Sequence, residues 1–195
     1  MTQAPDAITG LPFGRCRLEG DDHYCVFAGR TVRLLDRPAW DSEAEVVRSV
    51  SLTSVSIVTP VQPTKVIAVG LNYQAHVEEV AEHTGVDAVG GGTDARPEPI
   101  LFLKPPSAVI GPGDEIVLPA RSDRVDHEAE LVLVVGRRCR DLTPETAADA
   151  VAGYTCGNDV TARDLQKLDG QWTRAKSFDT FCPLGPWMVR DLPQP

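Results

Sequence analysis

The chain has 195 residues, of which 42% are hydrophobic and 24% charged, and its formal net charge is −9 at pH 7. This size and composition are typical of a globular protein that buries its own core. The acidic charge argues against nucleic-acid binding, which needs a basic surface, and against an anionic membrane surface. No apolar run approaches the roughly 20 residues that span a bilayer. The N-terminus also lacks a signal-peptide pattern, so the sequence predicts a cytoplasmic protein.

The cysteines are odd in number and show no C-x-x-C spacing, which indicates reduced structural thiols rather than a zinc site or a disulfide framework. They are Cys16, Cys25, Cys139, Cys156 and Cys182.

Residues 1–60 contain short alternating segments separated by Gly and Asp, a pattern that predicts a small N-terminal β domain. Prolines near its end mark a linker, because the residue before a proline avoids regular helical structure. The sequence therefore predicts a second domain over residues 61–195.

The second domain begins with an apolar strand at 65–70, and a helical pattern follows from Asn72 to Gly85. His76 and Glu79 lie three positions apart on that helix and therefore share a face. A histidine held by a carboxylate can act as a general base. The alternative is an exposed pair on a strongly acidic helix.

Two lysines stand out in apolar surroundings. Lys104 ends the apolar run 100–103, and Lys176 follows an alanine in a compact stretch. A lysine at the end of a buried strand either extends its amine to solvent or binds an anion.

The acidic segment 126–130 precedes an apolar run at 131–135 that predicts a buried strand. Side chains alternate along a strand, so Glu128 and Glu130 face the same way. Two like charges there indicate either a solvated strand end or a divalent cation. Asp159 follows at a predicted strand-to-helix junction, and the three carboxylates together would form an all-oxygen site suited to Mg²⁺, Mn²⁺ or Ca²⁺.

Three further elements are predicted from local patterns. Residues 143–153 carry a helix signature, with a threonine cap, a proline in the first turn and a terminal glycine. Residues 113–119 resemble a turn and a strand. Thr161 and Asp164 have the spacing of a capping box that opens the helix after Asp159.

Five motifs occur in the order found in the fumarylacetoacetate hydrolase family, and they cover most of residues 65–190. They are G-L-N-Y-x-x-H-x-x-E (70–79), P-I-L-F-L-K-P (99–105), D-H-E-A-E-L (126–131), N-D-V-T-A-R-D-L-Q (158–166) and K-S-F-D-T-F-C-P-L-G-P-W (176–187). The chain thus resembles this family, in its acylpyruvase and 2-hydroxyhepta-2,4-diene-1,7-dioate isomerase-like branch.

The resemblance implies an α+β, mostly β fold: a mixed β-roll, C-terminally incomplete here, with a small N-terminal β domain. It also implies a homodimer, with Mg²⁺ or Mn²⁺ held at Glu128, Glu130 and Asp159. Family members act on keto or diketo acids by C–C hydrolysis, decarboxylation or enol–keto isomerisation.

The resemblance further assigns substrate-binding and catalytic positions. The matching residues at the substrate are Lys104, Arg163, Gln166 and Lys176, of which the two lysines are also catalytic candidates. His76 and Glu79 match the water-activating dyad of the acylpyruvase-like branch.

Family chains continue well beyond the counterpart of Pro195, with further strands and a G-T-P-type loop that closes on the substrate. The leading hypothesis is a Mg²⁺-dependent hydrolase of an acylpyruvate-like diketo acid in aromatic catabolism. One alternative is an isomerase or decarboxylase of an oxo-dicarboxylate. The other is a truncated, non-catalytic metal-binding protein.

Overall fold

The computed structural model describes residues 8–70 and 99–192, and these residues form a mostly β structure. The strands are β1 Phe13–Leu18, β2 Asp21–Ala28, β3 Thr31–Leu35, β4 Val46–Ser51, β5 Ser56–Ile57, β6 Val66–Gly70, β7 Ile100–Lys104, β8 Val109–Ile110, β9 Val125–Asp126, β10 Ala129–Val135, β11 Val151–Asn158, β12 Thr161–Ala162 and β13 Cys182–Val189. The predicted mostly β fold is confirmed.

The helices of these ranges are short. The α-helices are α1 Pro144–Ala147, α2 Arg163–Asp169 and α3 Thr173–Lys176, and the 3₁₀ turns are Leu52–Ser54, Pro106–Ala108 and Ala148–Ala150. Gly170 ends α2 with φ +65°, the left-handed conformation that favours glycine at this position. Within the described ranges, no helix has the length and apolar character needed to cross a membrane.

One large sheet joins the N-terminal strands to the later ones. Its order is β10-β11-β13-β1-β2-β3-β4, with β5 paired to β1 and β8 paired to β13. The junction is the antiparallel pairing of β1 with β13, where Phe13 lies opposite Met188. Strands from before and after residue 60 therefore share one sheet, and the division into domains 1–60 and 61–195 stays a prediction.

The core of the sheet lies where these two groups of strands meet. Its buried members come from both sides of residue 60: Phe13, Val26, Leu35, Ala39, Val134, Ala152 and Met188. Burying each large apolar side chain contributes about 1.5–3 kcal/mol. A separate hydrophobic cluster consists of Val160, Ala162, Leu165, Ala175 and Phe181.

The predicted strands 65–70, 100–104 and 131–135 are present, but each buries only one face. Ile67 is 57% exposed and lies opposite Leu103, which is 59% exposed. Leu131, Leu133 and Val135 are exposed in the same alternating way on β10. A continuous apolar run is typical of a strand whose two faces are both covered by other parts of the protein. In these three strands, the described residues cover only one face.

Two local predictions need correction. The helix predicted over 143–153 ends at Ala150, because Val151 enters β11 opposite Val135. Its predicted start is confirmed, since Thr143 and Thr146 form a reciprocal capping box. The strand predicted within 113–119 is absent, and those residues form a turn and an irregular connection. The predicted helix from Asn72 to Gly85 lies outside the described residues.

Candidate active site

The β10–β11 pair places two of the predicted carboxylates together. Glu128 directly precedes β10, and Asp159 directly follows β11. The backbone N–H of Asp159 donates to the Glu128 carbonyl at 2.9 Å, while the Glu128 N–H donates to Asn158 Oδ1 at 3.0 Å. These bonds fix both carboxylates at the same end of the pair.

Two buried lysines converge on Asp159. Lys104 Nζ donates to Oδ1 at 2.5 Å, and Lys176 Nζ donates to Oδ2 at 2.6 Å. Lys104 is 3% exposed and Lys176 is 2% exposed. Lysine is rarely buried unless it is paired, so each ammonium depends on this carboxylate. Lys104 arrives at the end of β7 and Lys176 at the end of α3.

Glu128 is the second meeting point of charge. Its Oε1 accepts from Lys176 Nζ at 3.2 Å and from the hydroxyl of Thr161 at 2.8 Å, and it pairs with Arg163 Nη2 at 2.6 Å. These three side-chain contacts converge on one carboxylate oxygen, Glu128 Oε1. Lys176 therefore links Glu128 and Asp159 through one ammonium group.

Arg163 connects the cluster to its surroundings. Besides Glu128, its Nε pairs with Asp126 Oδ2 at 2.9 Å, and its Nη1 donates to Gln166 Oε1 at 3.0 Å. The planar guanidinium can hold three partners in fixed directions, which lysine cannot do. The hydrogen bond from Arg163 orients the side chain of Gln166, which lies one helical turn further along α2.

Aromatic rings cover the Lys176 side of the cluster. Lys176 Nζ lies 4.9 Å from the centre of the Phe102 ring and 6.0 Å from that of Trp172. The two rings pack edge to face with centroids 5.5 Å apart. Trp172 also lies against Gly70, where a Cβ would come within 2.3 Å of the indole ring. These rings restrict water around the ammonium and strengthen its electrostatic contacts.

Burial and neighbouring charges shift the pKa values of the ionisable site residues Lys104 and Glu128 in opposite directions. Burial lowers the pKa of the Lys104 ammonium, and Asp159 opposes that shift. Burial also opposes ionisation of Glu128, but the charges of Lys176 and Arg163 outweigh it and hold the pKa of the Glu128 carboxyl below its ordinary value. Glu128 is therefore ionised at neutral pH.

The predicted site residues separate into three groups. Lys104, Glu128, Asp159, Arg163, Gln166 and Lys176 come together as described. Glu130 is half-buried on β10 and lies opposite Gly157, on the same inward-facing side as Val132 and Val134. His76 and Glu79 lie outside the described residues, so their proposed role stays a prediction.

The predicted three-carboxylate metal site also stays a prediction. In residues 8–70 and 99–192, no group of three or more His, Cys, Asp or Glu side chains is arranged to hold a metal ion. The donor chemistry nevertheless fits a divalent cation. Glu128 is ionised, and it converges with Asp159 on one cationic group. An oxygen-only donor set of this kind suits Mg²⁺ or Mn²⁺.

Two residues of the cluster were not identified from the sequence. The spacing of Thr161 and Asp164 predicts a capping box, but α2 begins after Ala162 with no side-chain cap, and the Thr161 hydroxyl points into the cluster. Asp164 instead accepts from Ser122. Asp126 was grouped with the acidic segment, although it holds Arg163. Strand alternation gives no signal for Asp126, because β9 ends at this residue and lies in a different sheet from β10.

The sequence of the chain matches a known protein family. Residues 65–195 match the protein family described as fumarylacetoacetate (FAA) hydrolase C-terminal. The chain belongs to the fumarylacetoacetate hydrolase family. All of the clustered site residues lie within the matched range.

Three similar proteins illustrate the relationship. An uncharacterised protein of Archaeoglobus fulgidus is 55% identical over 140 residues, which are 72% of this chain and 52% of the relative. The 2-hydroxyhepta-2,4-diene-1,7-dioate isomerase of Mycobacterium marinum is 37% identical with a TM-score of 0.79, covering 94% of this chain and 67% of that structure. The maleylpyruvate hydrolase of Sphingobium sp. SYK-6, solved with manganese and pyruvate, is 28% identical with a TM-score of 0.63, covering 92% and 67%.

The chain spans about half the length of the curated relatives it matches, with 52% of the Archaeoglobus fulgidus protein covered. The chain shares its family and its fold with these proteins.

Proposed function

We propose that the protein is a Mg²⁺- or Mn²⁺-dependent hydrolase that cleaves a C–C bond of an acylpyruvate-like diketo acid, of the fumarylacetoacetate or fumarylpyruvate type. The observation that carries this proposal is the buried cluster in which Lys104 and Lys176 meet Asp159 and Glu128. A site rich in cations and enclosed by protein suits a substrate that carries a carboxylate and develops enolate charge.

The metal would be held by Glu128, Glu130 and Asp159. When bound, it would act as a Lewis acid that polarises oxygens of the keto acid. Support comes from the oxygen-only donor set and from the related hydrolase solved with manganese and pyruvate. Glu128 and Asp159 both pair with Lys176, which holds the two carboxylates close together.

The lysines and Arg163 would bind and orient the substrate. Hydrolysis adds the oxygen of water to the acyl carbonyl carbon, and the electrons of the broken C–C bond pass to the enolate of the released keto acid, which is pyruvate for an acylpyruvate, and this enolate then takes a proton on carbon. Lys104, Lys176 and Arg163 would stabilise the carboxylate and the enolate oxygen. Gln166 would present an amide fixed by Arg163. His76, oriented by Glu79, would remove a proton from the attacking water.

A second candidate is enol–keto isomerisation, or decarboxylation, of an oxo-dicarboxylate. Its support is the similarity to the isomerase of Mycobacterium marinum. The cations of the described cluster would stabilise an enolate, and an enolate occurs in hydrolysis, isomerisation and decarboxylation alike. The reactions differ in whether water attacks carbon.

The experiment is product analysis of a panel of diketo acids and oxo-dicarboxylates, with Mg²⁺ and with a chelator. Hydrolysis predicts two carboxylic acids in equal amounts, one of them pyruvate when the substrate is an acylpyruvate, and only with the metal. His76→Ala should abolish this release, while His83→Ala, a histidine of the same segment, serves as the matched control. An isomer or CO₂ as the sole product would favour the second candidate. No turnover of any substrate in the panel would contradict both.

A homodimer is the proposed assembly. Its support is the exposed apolar face formed by Ile67, Val69, Leu101 and Leu103 on β6 and β7, since large exposed apolar patches mark contact sites.

A further inference from the structure

We propose that Thr161 is a positioning residue, whose hydroxyl fixes the Lys176 ammonium and the Glu128 carboxylate relative to each other. This inference rests on the proposed function, because it concerns how that site is held in its working geometry. Thr161 is completely buried in β12.

The hydroxyl has a defined polarity. Lys176 Nζ lies 2.8 Å from Thr161 Oγ1, and an ammonium can only donate, so Oγ1 accepts this bond. The single hydroxyl hydrogen is then available to Glu128 Oε1 at 2.8 Å or to the carbonyl oxygen of Asp159 at 2.9 Å. When the hydrogen lies on the Glu128 side, which is the shorter contact, Thr161 relays a hydrogen bond from the Lys176 ammonium to the carboxylate that this ammonium also contacts directly.

The backbone and the methyl group hold this hydroxyl in place. Thr161 lies opposite Asp126 in the β9–β12 ladder, next to the fully buried Ala162. A β-branched side chain has few χ1 rotamers, and burial selects among them. The hydroxyl is thus oriented before any ligand arrives, which is the property required of a group that positions others.

The direct contact between the two charged groups is the longest of the set. Lys176 Nζ lies 3.2 Å from Glu128 Oε1, whereas Thr161 Oγ1 lies 2.8 Å from each of these two atoms. Without the hydroxyl, Glu128 would keep Arg163 as its closer partner and could rotate about that contact. The Glu128 carboxylate, which would bind the metal, and the Lys176 amine, which would bind the substrate, would then lose their fixed spacing.

The test compares Thr161→Val, which keeps the shape and removes the hydroxyl, with Thr161→Ser, which keeps the hydroxyl. Thr155→Val is the matched control, because Thr155 is also buried and donates at 2.7 Å to the Trp187 carbonyl rather than to any site residue. The measurements are the Mn²⁺ dissociation constant from calorimetry, and kcat and KM on the substrate found by product analysis.

Thr161→Val is expected to weaken Mn²⁺ binding about tenfold and to lower kcat/KM at least as much, mainly through kcat, as is usual when a group that orients a metal ligand is removed. Thr161→Ser should recover most of both losses. Thr155→Val should change neither. Equal Mn²⁺ affinity and kcat in Thr161→Val and wild type would overturn the proposal, as would equal losses in Thr161→Ser and Thr161→Val.

A double-mutant cycle on unfolding in urea separates this proposal from the proposed function. Thr161→Val and Lys176→Met should be non-additive by about threefold or more in the unfolding equilibrium constant, because they remove the same hydrogen bond. If the wild type neither binds Mn²⁺ nor turns over a keto acid, the proposed function fails. The role of Thr161 is then decided by the double-mutant cycle alone. Additive effects would then overturn the role of Thr161.

Discussion

Lys176 donates a hydrogen bond of 2.6 Å to Asp159, and the two side chains are only 3% and 8% exposed. A buried ion pair of this kind gains little net stability from its own attraction, because both charges lose their hydration. Its value is in holding an amine and a carboxylate at a fixed spacing beside Glu128. The predictions below separate this positioning role from simple structural packing.

Lys176→Met should destabilise the protein by about 3 kcal/mol, since it leaves two buried carboxylates with one positive partner fewer. Millimolar Mg²⁺ should raise the melting temperature of this variant more than that of the wild type, because a divalent cation replaces the missing charge. Differential scanning calorimetry measures both effects. Lys167→Met, at an exposed position on α2, is the control and should leave stability unchanged. Wild-type stability in Lys176→Met would refute this view of the cluster.

Arg163→Lys should lower kcat/KM by about tenfold or more, even though the charge is kept. Lysine cannot contact Asp126, Glu128 and Gln166 at once, so the three would lose their common anchor. Steady-state kinetics test this. Arg124→Lys is the matched control, because Arg124 also pairs with Asp126 at 3.2 Å but from the surface. An equally large loss of kcat/KM in Arg124→Lys would contradict this prediction, because the contacts to Glu128 and Gln166 are made by Arg163.

Asp22→Asn should destabilise the N-terminal strands by about 2 kcal/mol at neutral pH, because the buried Arg15 and its neighbour Arg17 both pair with Asp22 at 2.6 and 2.7 Å. The hydrogen bond from Arg17 holds the pKa of Asp22 below its ordinary value of 3.8. The unfolded state therefore binds the proton first as pH falls, and the stabilising effect is full above about pH 4 and disappears as pH drops through the folded pKa.

Urea unfolding of wild type and Asp22→Asn across this acidic range provides the measurement for the Asp22 prediction. The gap in unfolding free energy between them should narrow as the pH falls. A gap that is constant from neutral pH to well below pH 4 would show that the ionisation of Asp22 contributes nothing.

Replacing both Leu101 and Leu103 with lysine should reduce self-association. These side chains are 58% and 59% exposed on one face of β7, and charges on such a face oppose contact with another chain. Sedimentation velocity over a range of concentrations measures the effect. Val47→Lys, at a valine of β4 that is 60% exposed, is the control. An unchanged concentration dependence in the double variant would argue against this face as a contact.

The strands that frame the site could be predicted from the sequence because their apolar runs are short and end in glycine, proline or charge. β7 and β10 were found in this way, together with Lys104 and Glu128 at their ends. The extent of burial could not be predicted as well. An apolar run indicates that a strand lies against a core, but it does not indicate which face of the strand is covered. Leu131 and Leu133 show the difference, as both are half-exposed or more.

Local patterns failed where tertiary contacts competed with them. Thr161 has the spacing of a helix cap, yet the Lys176 ammonium provides a stronger partner for its hydroxyl than a backbone N–H would. Val151 follows a good helix signal, but pairing with Val135 draws it into β11. Contacts between residues distant in sequence decide such positions, and one sequence does not reveal them.

The most direct test of the account is calorimetric titration of Mn²⁺ into the wild-type protein and into Glu128→Gln, which keeps the shape of the side chain and removes its charge. Because Glu128 is ionised and converges with Asp159 on one cation, the wild type should bind Mn²⁺ in a single-site transition. Glu128→Gln should bind at least about tenfold more weakly. Equal binding by the two proteins, or no binding by the wild type, would contradict the assignment of this cluster as a metal-dependent active site.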